Sequence, residues 1–215
     1  MIEAIINPIF EFFIGPYSSH SNLDISLECT AVILGVLSVW YAKKSNVLVY
    51  PTGMISTAIY VYLLLIAGLV GDFLINVYYF MMSVYGWYFW TQKREKKIKH
   101  PIKKISLEEK KWSLFLFITA IIIVIGIYLH FDKWNDWTAP VDSFTTAIFF
   151  VGMWLMARKK IEHWIFWIIG DIISIPLYLY KGMGLTSIQY IIFTIIAIFG
   201  YLEWKKSYNN SKQIA

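Results

Sequence analysis

Residues 162–180 read EHWIFWIIGDIISIPLYLY, a run with no lysine or arginine between Arg158-Lys159-Lys160 and Lys181. A helix crosses a bilayer core with roughly 20 apolar residues at about 1.5 Å each, so this stretch reads as a membrane span. Working outward from it, similar runs occupy Ser26–Ala42, Val47–Ala67, Asp72–Trp90, Trp112–His130, Val141–Ala157 and Thr186–Trp204. Together they use most of the 215 residues and leave short loops, with no room for a soluble domain. Composition agrees: 58% of the chain is hydrophobic and 15% charged, where soluble proteins have about 45–50% and about 25%. That much apolar surface cannot be hidden in a soluble fold, and one cysteine, Cys29, cannot staple a disulfide scaffold. The fold class expected is an all-α integral membrane protein with seven transmembrane helices.

The basic residues set a direction. Lys43 and Lys44 follow the first span, and nine Lys and Arg lie between Lys93 and Lys111. Arg158, Lys159 and Lys160 follow the fifth span, and Lys205, Lys206 and Lys212 follow the seventh. Only Lys133 and Lys181 fall on the other side, near Asp24, Asp72, Asp132, Asp136 and Asp142. By the positive-inside rule the N-terminus is outside and the C-terminus in the cytoplasm. The net charge of +5 then needs no nucleic-acid partner, although the 93–111 loop suits contact with anionic lipid head groups in the bilayer. Residues 1–25 form an extracytoplasmic segment in which Ile2–Tyr17 is apolar but interrupted by Pro8 and Glu11. It is expected to lie as an interfacial helix, with a short extra span as the alternative.

An internal repeat appears at a shift of 114 positions. Trp40 falls on Trp154, Gly68 on Gly182, Gly86 on Gly200 and Trp90 on Trp204. Residues 26–92 and 141–204 thus read as two copies of a three-helix unit, joined by residues 93–140 with the fourth span as linker; 205–215 are a cytoplasmic tail. Four spans separate the starts of the copies, so both have the same orientation, a 3+1+3 plan of parallel repeats known among transporters.

Polar residues inside spans are expensive and mark function. Asp171 lies close to midway between Lys160 and Lys181, near the bilayer midplane, where a carboxylate costs about 2.5–3.5 kcal/mol. Trp164, Trp167, Asp171, Ser174 and Tyr178 are spaced 3, 4, 3 and 4 and so share one helical face. Two indoles, a carboxylate, a hydroxyl and a phenol suit a flat cationic aromatic solute, since stacking a cation on tryptophan is worth about 0.5–2 kcal/mol. An aromatic belt explains Trp164 at the boundary but not Asp171. Pro176 removes one backbone hydrogen bond in the same helix and is a candidate gating element. The third span offers Asn76, Tyr79, Ser83, Trp87 and Trp90 at spacings of 3, 4, 4 and 3; the seventh offers Gln189 with Tyr190 and Thr194. Thr57 and Tyr60 of the second span are the 114-shift counterparts of Asp171 and Ser174. These residues outline a polar lumen between the two halves.

The chemistry of an enzyme is missing. No G-x-x-x-x-G-K-[ST], H-E-x-x-H or G-x-S-x-G motif occurs, and Asp171 is the single acid deep in a span. His20, His100, His130 and His163 are scattered, so neither a metal site nor a cofactor is expected.

Three segments carry a resemblance: Tyr85-Gly86-Trp87-Tyr88-Phe89-Trp90, Glu162-His163-Trp164-Ile165-Phe166-Trp167 and Gly200-x-x-x-Trp204. Over about residues 28–204 the chain resembles the PnuC family of bacterial nicotinamide riboside transporters. The resemblance implies a SWEET-like 3+1+3 core in the bacterial cell (inner) membrane and facilitated diffusion of a vitamin. It also implies trapping through phosphorylation by a cytoplasmic kinase, a functional partner, and a central site carried over onto Trp164 and Trp167. The family pattern has Asn where this chain has Asp171, Gln where it has Asn76 and Asn where it has His163. Relatives carry thiamine and riboflavin, and a carboxylate at 171 suits the thiazolium and aminopyrimidine of thiamine as well as a pyridinium. Nicotinamide riboside is the first expectation and thiamine the second. A non-transporting membrane sensor or assembly protein is the competing class, and a homo-oligomer is compatible with all of these.

Overall fold

The structure, a computed structural model, describes residues 21–66, 70–94, 97, 98, 101–181 and 184–214. The surface helix or extra span expected within residues 1–17 lies outside the described residues, as does the Gly68–Gly182 match.

Seven long helices account for nearly all of the described chain: α1 (Asn22–Lys43), α2 (Val49–Ile66), α3 (Val70–Thr91), α4 (Leu107–His130), α5 (Thr138–Ala157), α6 (His163–Tyr180) and α7 (Gly184–Ile214). Six of them are long and apolar enough to cross a membrane: α1, α2, α4, α5, α6 and residues Thr186–Ser211 of α7. Each expected span coincides with one helix, with ends displaced by a few residues. The exception is α7, which continues past Trp204 to Ile214. Lys205, Lys206 and the residues after them include neither Gly nor Pro, so nothing breaks the helix where the apolar run stops. Two short strands, β1 (Lys93–Arg94) and β2 (Lys97–Ile98), pair antiparallel in the basic loop.

Local chemistry sets the ends. Ser21 caps α1 by accepting from the Asp24 amide at 3.1 Å, and Ser106 with Glu109 forms a capping box on α4. Helices α1, α4 and α5 each close with a left-handed residue, Ser45 (φ 51°), Asp132 (φ 52°) and Lys159 (φ 55°). At the first, the Ser45 amide donates to Ala42 O and the Asn46 amide to Tyr41 O, the Schellman arrangement that satisfies end carbonyls.

Helix contacts define a ring. α1 packs on α2 and α7, α2 on α3, α3 on α5, α5 on α6, and α6 on α7. α4 stands outside this ring, against α5. That position makes α5 the most enclosed helix, 72% buried along its span, because α3, α4 and α6 all cover it. Elsewhere the outer wall is apolar: Ile33, Ile55, Ile122 and Ile195 are half-exposed or more, as lipid-facing residues are.

The Lys/Arg-rich end of the ring is packed solid. Tyr50, Trp90, Trp164 and Trp204 form its aromatic centre, with Met153, Met156, Ile161 and Ala197 around them. The Trp90 indole donates to Ala157 O at 3.0 Å, and the Trp204 indole to Ala42 O at 2.9 Å. The chain ahead of α4 is tied to the turn between α5 and α6. There the Lys103 amide donates to Lys159 O, the Ile161 amide to Lys103 O, both at 3.0 Å, and the Ile105 amide to the Glu162 carboxylate at 2.9 Å.

Candidate functional site

Above the aromatic plug, the six ring helices enclose a cavity of about 530 Å³, within the usual size of a small-molecule site. α6 gives it one wall. Trp164, Trp167, Asp171, Ser174 and Tyr178 all line it, as their shared helical face requires. Trp164 and Asp171 are 1% exposed and Ser174 is fully buried. Across from them stand Thr57 and Tyr60 of α2, and Asn76 and Tyr79 of α3. Gln189 of α7 completes the set, its side chain accepting from the Tyr60 hydroxyl at 3.5 Å. These ten residues therefore line one space, and Tyr190 lines it as well, whereas Thr194 of the same helix does not. Ser83 is on the wall too, whereas Trp87 is 43% exposed and Trp90 belongs to the plug below. Pro176 lies inside α6 but is not a wall residue.

An aromatic ladder runs along the second half of the cavity. Tyr79 stands 6.0 Å from Trp167, Trp167 stacks on Phe149 at 5.4 Å, Phe149 on Tyr190 at 6.0 Å, and Tyr190 on Tyr178 at 5.1 Å. Glycines make this possible. Gly170 lies directly beneath Phe149 and leaves no room for a side chain, and the Trp167 indole lies 3.4 Å from where a Cβ on Gly152 would be.

Against this apolar face stand polar atoms with nothing to bond. Asp171 Oδ1, Ser174 Oγ and Trp164 Nε1 are all buried and have no hydrogen-bond partner among the described residues. Asp171 forms no ion pair among the described residues either. An unsatisfied buried polar group costs about 1–3 kcal/mol, and a charged one more. Asp171 and Ser174 are one turn apart on the α6 wall, with Trp164 two turns below Asp171 in the plug, and their acceptor and donor capacity is what a site holds when its bonds are completed by a solute. Among the described residues no group of His, Cys, Asp and Glu is placed to hold a metal ion.

At the far end, Asp142 of α5 lines the cavity and accepts from the Tyr128 hydroxyl at 3.0 Å, while Lys181 pairs with the same carboxylate. The Lys181 ammonium also lies 5.2 Å from the Tyr178 ring. Tyr128, Ile123 and Ile127 belong to α4, so the helix read as a linker also contributes to the wall. Sequence reasoning missed Phe149, Tyr128, Gly35 and Gly53 as wall residues, and read Asp142, at the start of the fifth span, only as one of the acids on the outer side. The 114-position shift held the signal for several of them, since Phe149 is the counterpart of Gly35 and Trp167 of Gly53.

The family model described as nicotinamide mononucleotide transporter matches residues 25–206, which take in the ring helices apart from the first three residues of α1 and the last eight of α7. The chain belongs to this family. Among curated members of the nicotinamide mononucleotide transporter family, the nicotinamide riboside transporter PnuC of Escherichia coli is 27% identical over 210 residues, covering 86% of this chain and 87% of its own. PnuC of Neisseria mucosa is 24% identical over 196 residues, covering 86% and 74%. The riboflavin/roseoflavin transporter RibM of Streptomyces davaonensis is 23% identical over 130 residues, 57% of this chain and 58% of that one. A crystal structure of the vitamin B3 transporter PnuC superposes with a TM-score of 0.69 at 21% identity, covering 96% of this chain and 88% of that one. The shared helical fold follows from that likeness, and the resemblance carried by the three aromatic segments holds.

Proposed function

We propose that this chain is a multi-pass membrane carrier that takes up nicotinamide riboside by facilitated diffusion. The observation that carries the reading is that the aromatic ladder and the unpartnered Asp171 and Ser174 side chains line the same cavity. A pyridinium ring stacks on Trp167, and a carboxylate facing it supplies the charge that the bilayer interior withholds. The carboxamide and ribose hydroxyls of the solute match the side chains of Asn76, Gln189, Thr57 and Tyr60. The names of the PnuC relatives favour the same substrate. Diffusion down a gradient becomes uptake when a cytoplasmic kinase phosphorylates the vitamin, and that enzyme is the functional partner proposed here.

Thiamine is the second reading, and Asp171 is what favours it. An ionised carboxylate accepts from the aminopyrimidine and faces the thiazolium charge, so it serves thiamine as well as it serves the pyridinium.

The 3+1+3 plan is part of the proposal, with residues 26–92 and 141–204 as parallel repeats. Its support is a set of hydrogen bonds that recur at the 114-position shift. The amides of residues 44, 45, 46, 49 and 50 donate to carbonyls of 40, 42, 41, 46 and 47; those of 158, 159, 160, 163 and 164 donate to 154, 156, 155, 160 and 161. Ser45 and Lys159, the left-handed residues of these turns, are themselves counterparts. The Lys/Arg-rich plug faces the cytoplasm in this reading, with the N-terminus outside, the C-terminus inside and the cavity reached from the outer face.

Counterflow in liposomes tests transport. Vesicles loaded with unlabelled nicotinamide riboside should take up the labelled compound transiently and without an energy source. Uptake no faster than in protein-free vesicles, for nicotinamide riboside and thiamine alike, contradicts the carrier reading.

A further inference from the structure

Cavity residues 114 positions apart are unequal in bulk, and the inequality has a side. Gly35 corresponds to Phe149 and Gly53 to Trp167, and all four line the cavity. The local surroundings correspond as well. A Cβ on Gly53 would sit 3.0 Å from Ser38 Oγ, on α1; the Trp167 indole lies against Gly152, the counterpart of Ser38, on α5. A side chain at 53 would therefore leave its helix toward α1 and α3, where Ser38 and Ser83 also line the cavity. In the second half the matching positions carry an indole and a phenyl ring; in the first they carry no side chain, and the small hydroxyls of Ser38, Ser83 and Ser56 stand nearest.

We infer that Gly53 is the specificity-determining position of this carrier: the substrate's flat ring occupies the room that a second indole would fill, held between the Trp167–Phe149 wall and the exposed backbone of α2. This rests on the reading of the chain as a carrier of a flat cationic vitamin. Gly35 widens the same slot near Gln189, whose side-chain nitrogen lies 3.5 Å from where its Cβ would be. A second tryptophan would take up part of a cavity of about 530 Å³, and a small residue on one side alone leaves a slot open on a single face. The width of that slot is set by the backbone at 53, so it admits a planar ring and rejects one carrying bulk above its plane.

Calorimetric titration of nicotinamide riboside and thiamine into purified wild type, Gly53→Ala, Gly53→Trp and Gly126→Trp decides the matter, with thermal unfolding as the check on folding. Gly126 is the control because nothing lies within 4 Å of a Cβ there. Gly53→Ala should weaken binding about tenfold and Gly53→Trp at least about 100-fold, the range a methylene or more commands in a tight apolar slot. Gly126→Trp should bind as wild type does. If Gly53→Trp fails to fold, Gly53→Ala in a Ser38→Ala background, which removes the one close contact, carries the test. A folded Gly53 variant that binds within about threefold of wild type overturns the inference while leaving the carrier reading intact. Wild type that binds neither solute overturns the carrier reading, and the inference with it.

Discussion

Trp90 and Trp204 meet ring to ring, centroids 5.9 Å apart, and each indole reaches past the other to a helix end in the opposite half of the chain. Trp90 donates to Ala157 O at 3.0 Å, and Trp204 to Ala42 O at 2.9 Å and Lys43 O at 3.1 Å. These carbonyls lie in the last turn of a helix, where acceptors have no partner within the helix; Ala42 O also takes the Ser45 amide, and each tryptophan adds a bond from one half to the cap of the other. The pair is a lock on the Lys/Arg-rich end. Trp90→Phe and Trp204→Phe keep a ring but lose the N–H, and each should cost about 1–2 kcal/mol. Thermal unfolding in one detergent should show both variants melting lower. Unchanged melting in both would mean that the plug does not depend on these bonds.

Two glycines are required by the aromatic residues resting on them. Tyr50 covers Gly86 and Trp164 covers Gly200, in each case closer than a Cβ allows. Both aromatic residues are at most 1% exposed and have nowhere to retreat. Gly86→Ala and Gly200→Ala should destabilise by about 1–3 kcal/mol each, as overpacking a tight core does. Gly126→Ala, made where space is open, should not. Equal melting temperatures for all three variants would contradict the packing described.

Lys159 lies in the turn between α5 and α6, with its ammonium 4.4 Å from the Trp90 ring and 4% of its surface exposed. Burial holds its pKa below the usual lysine value of 10.5. The unfolded chain then binds more protons than the folded one between the two values, so stability rises with pH as the value of 10.5 is approached from below. Wild type should gain melting temperature as pH rises toward 10.5 relative to Lys159→Met, which has nothing to titrate there. Parallel pH profiles for the two proteins would remove the effect.

The helices were legible because lipid imposes a simple rule: apolar runs of about 20 residues between basic clusters. The α6 wall was legible because polar residues are rare inside spans, and five positions at spacings of 3 and 4 have one shared face. What faces what across the bundle was not legible. Phe149 reads as one more apolar residue of α5, and only the contact with Gly170, 21 positions away, turns it into the middle of the ladder. The outlying position of α4 follows from packing between helices that are all apolar, for which periodicity carries no address. Ser45 and Lys159 adopt left-handed backbone without the glycine that usually signals it, so these turns left no mark in composition. The extension of α7 beyond Trp204 escaped notice because a membrane reading ends where the apolar run does.

The proposal that the cavity binds a cationic vitamin through Asp171 stands or falls on that carboxylate. Its most direct test is side-by-side calorimetric titration of nicotinamide riboside and thiamine into wild type and Asp171→Ala. Wild type should bind at least one of the two, with nicotinamide riboside the first expectation. Asp171→Ala, folded and melting no lower, should lose about 2 kcal/mol or more of that binding, roughly 30-fold. Wild-type affinity in the folded variant would contradict the assignment of Asp171, and a wild type that binds neither compound would contradict the account as a whole.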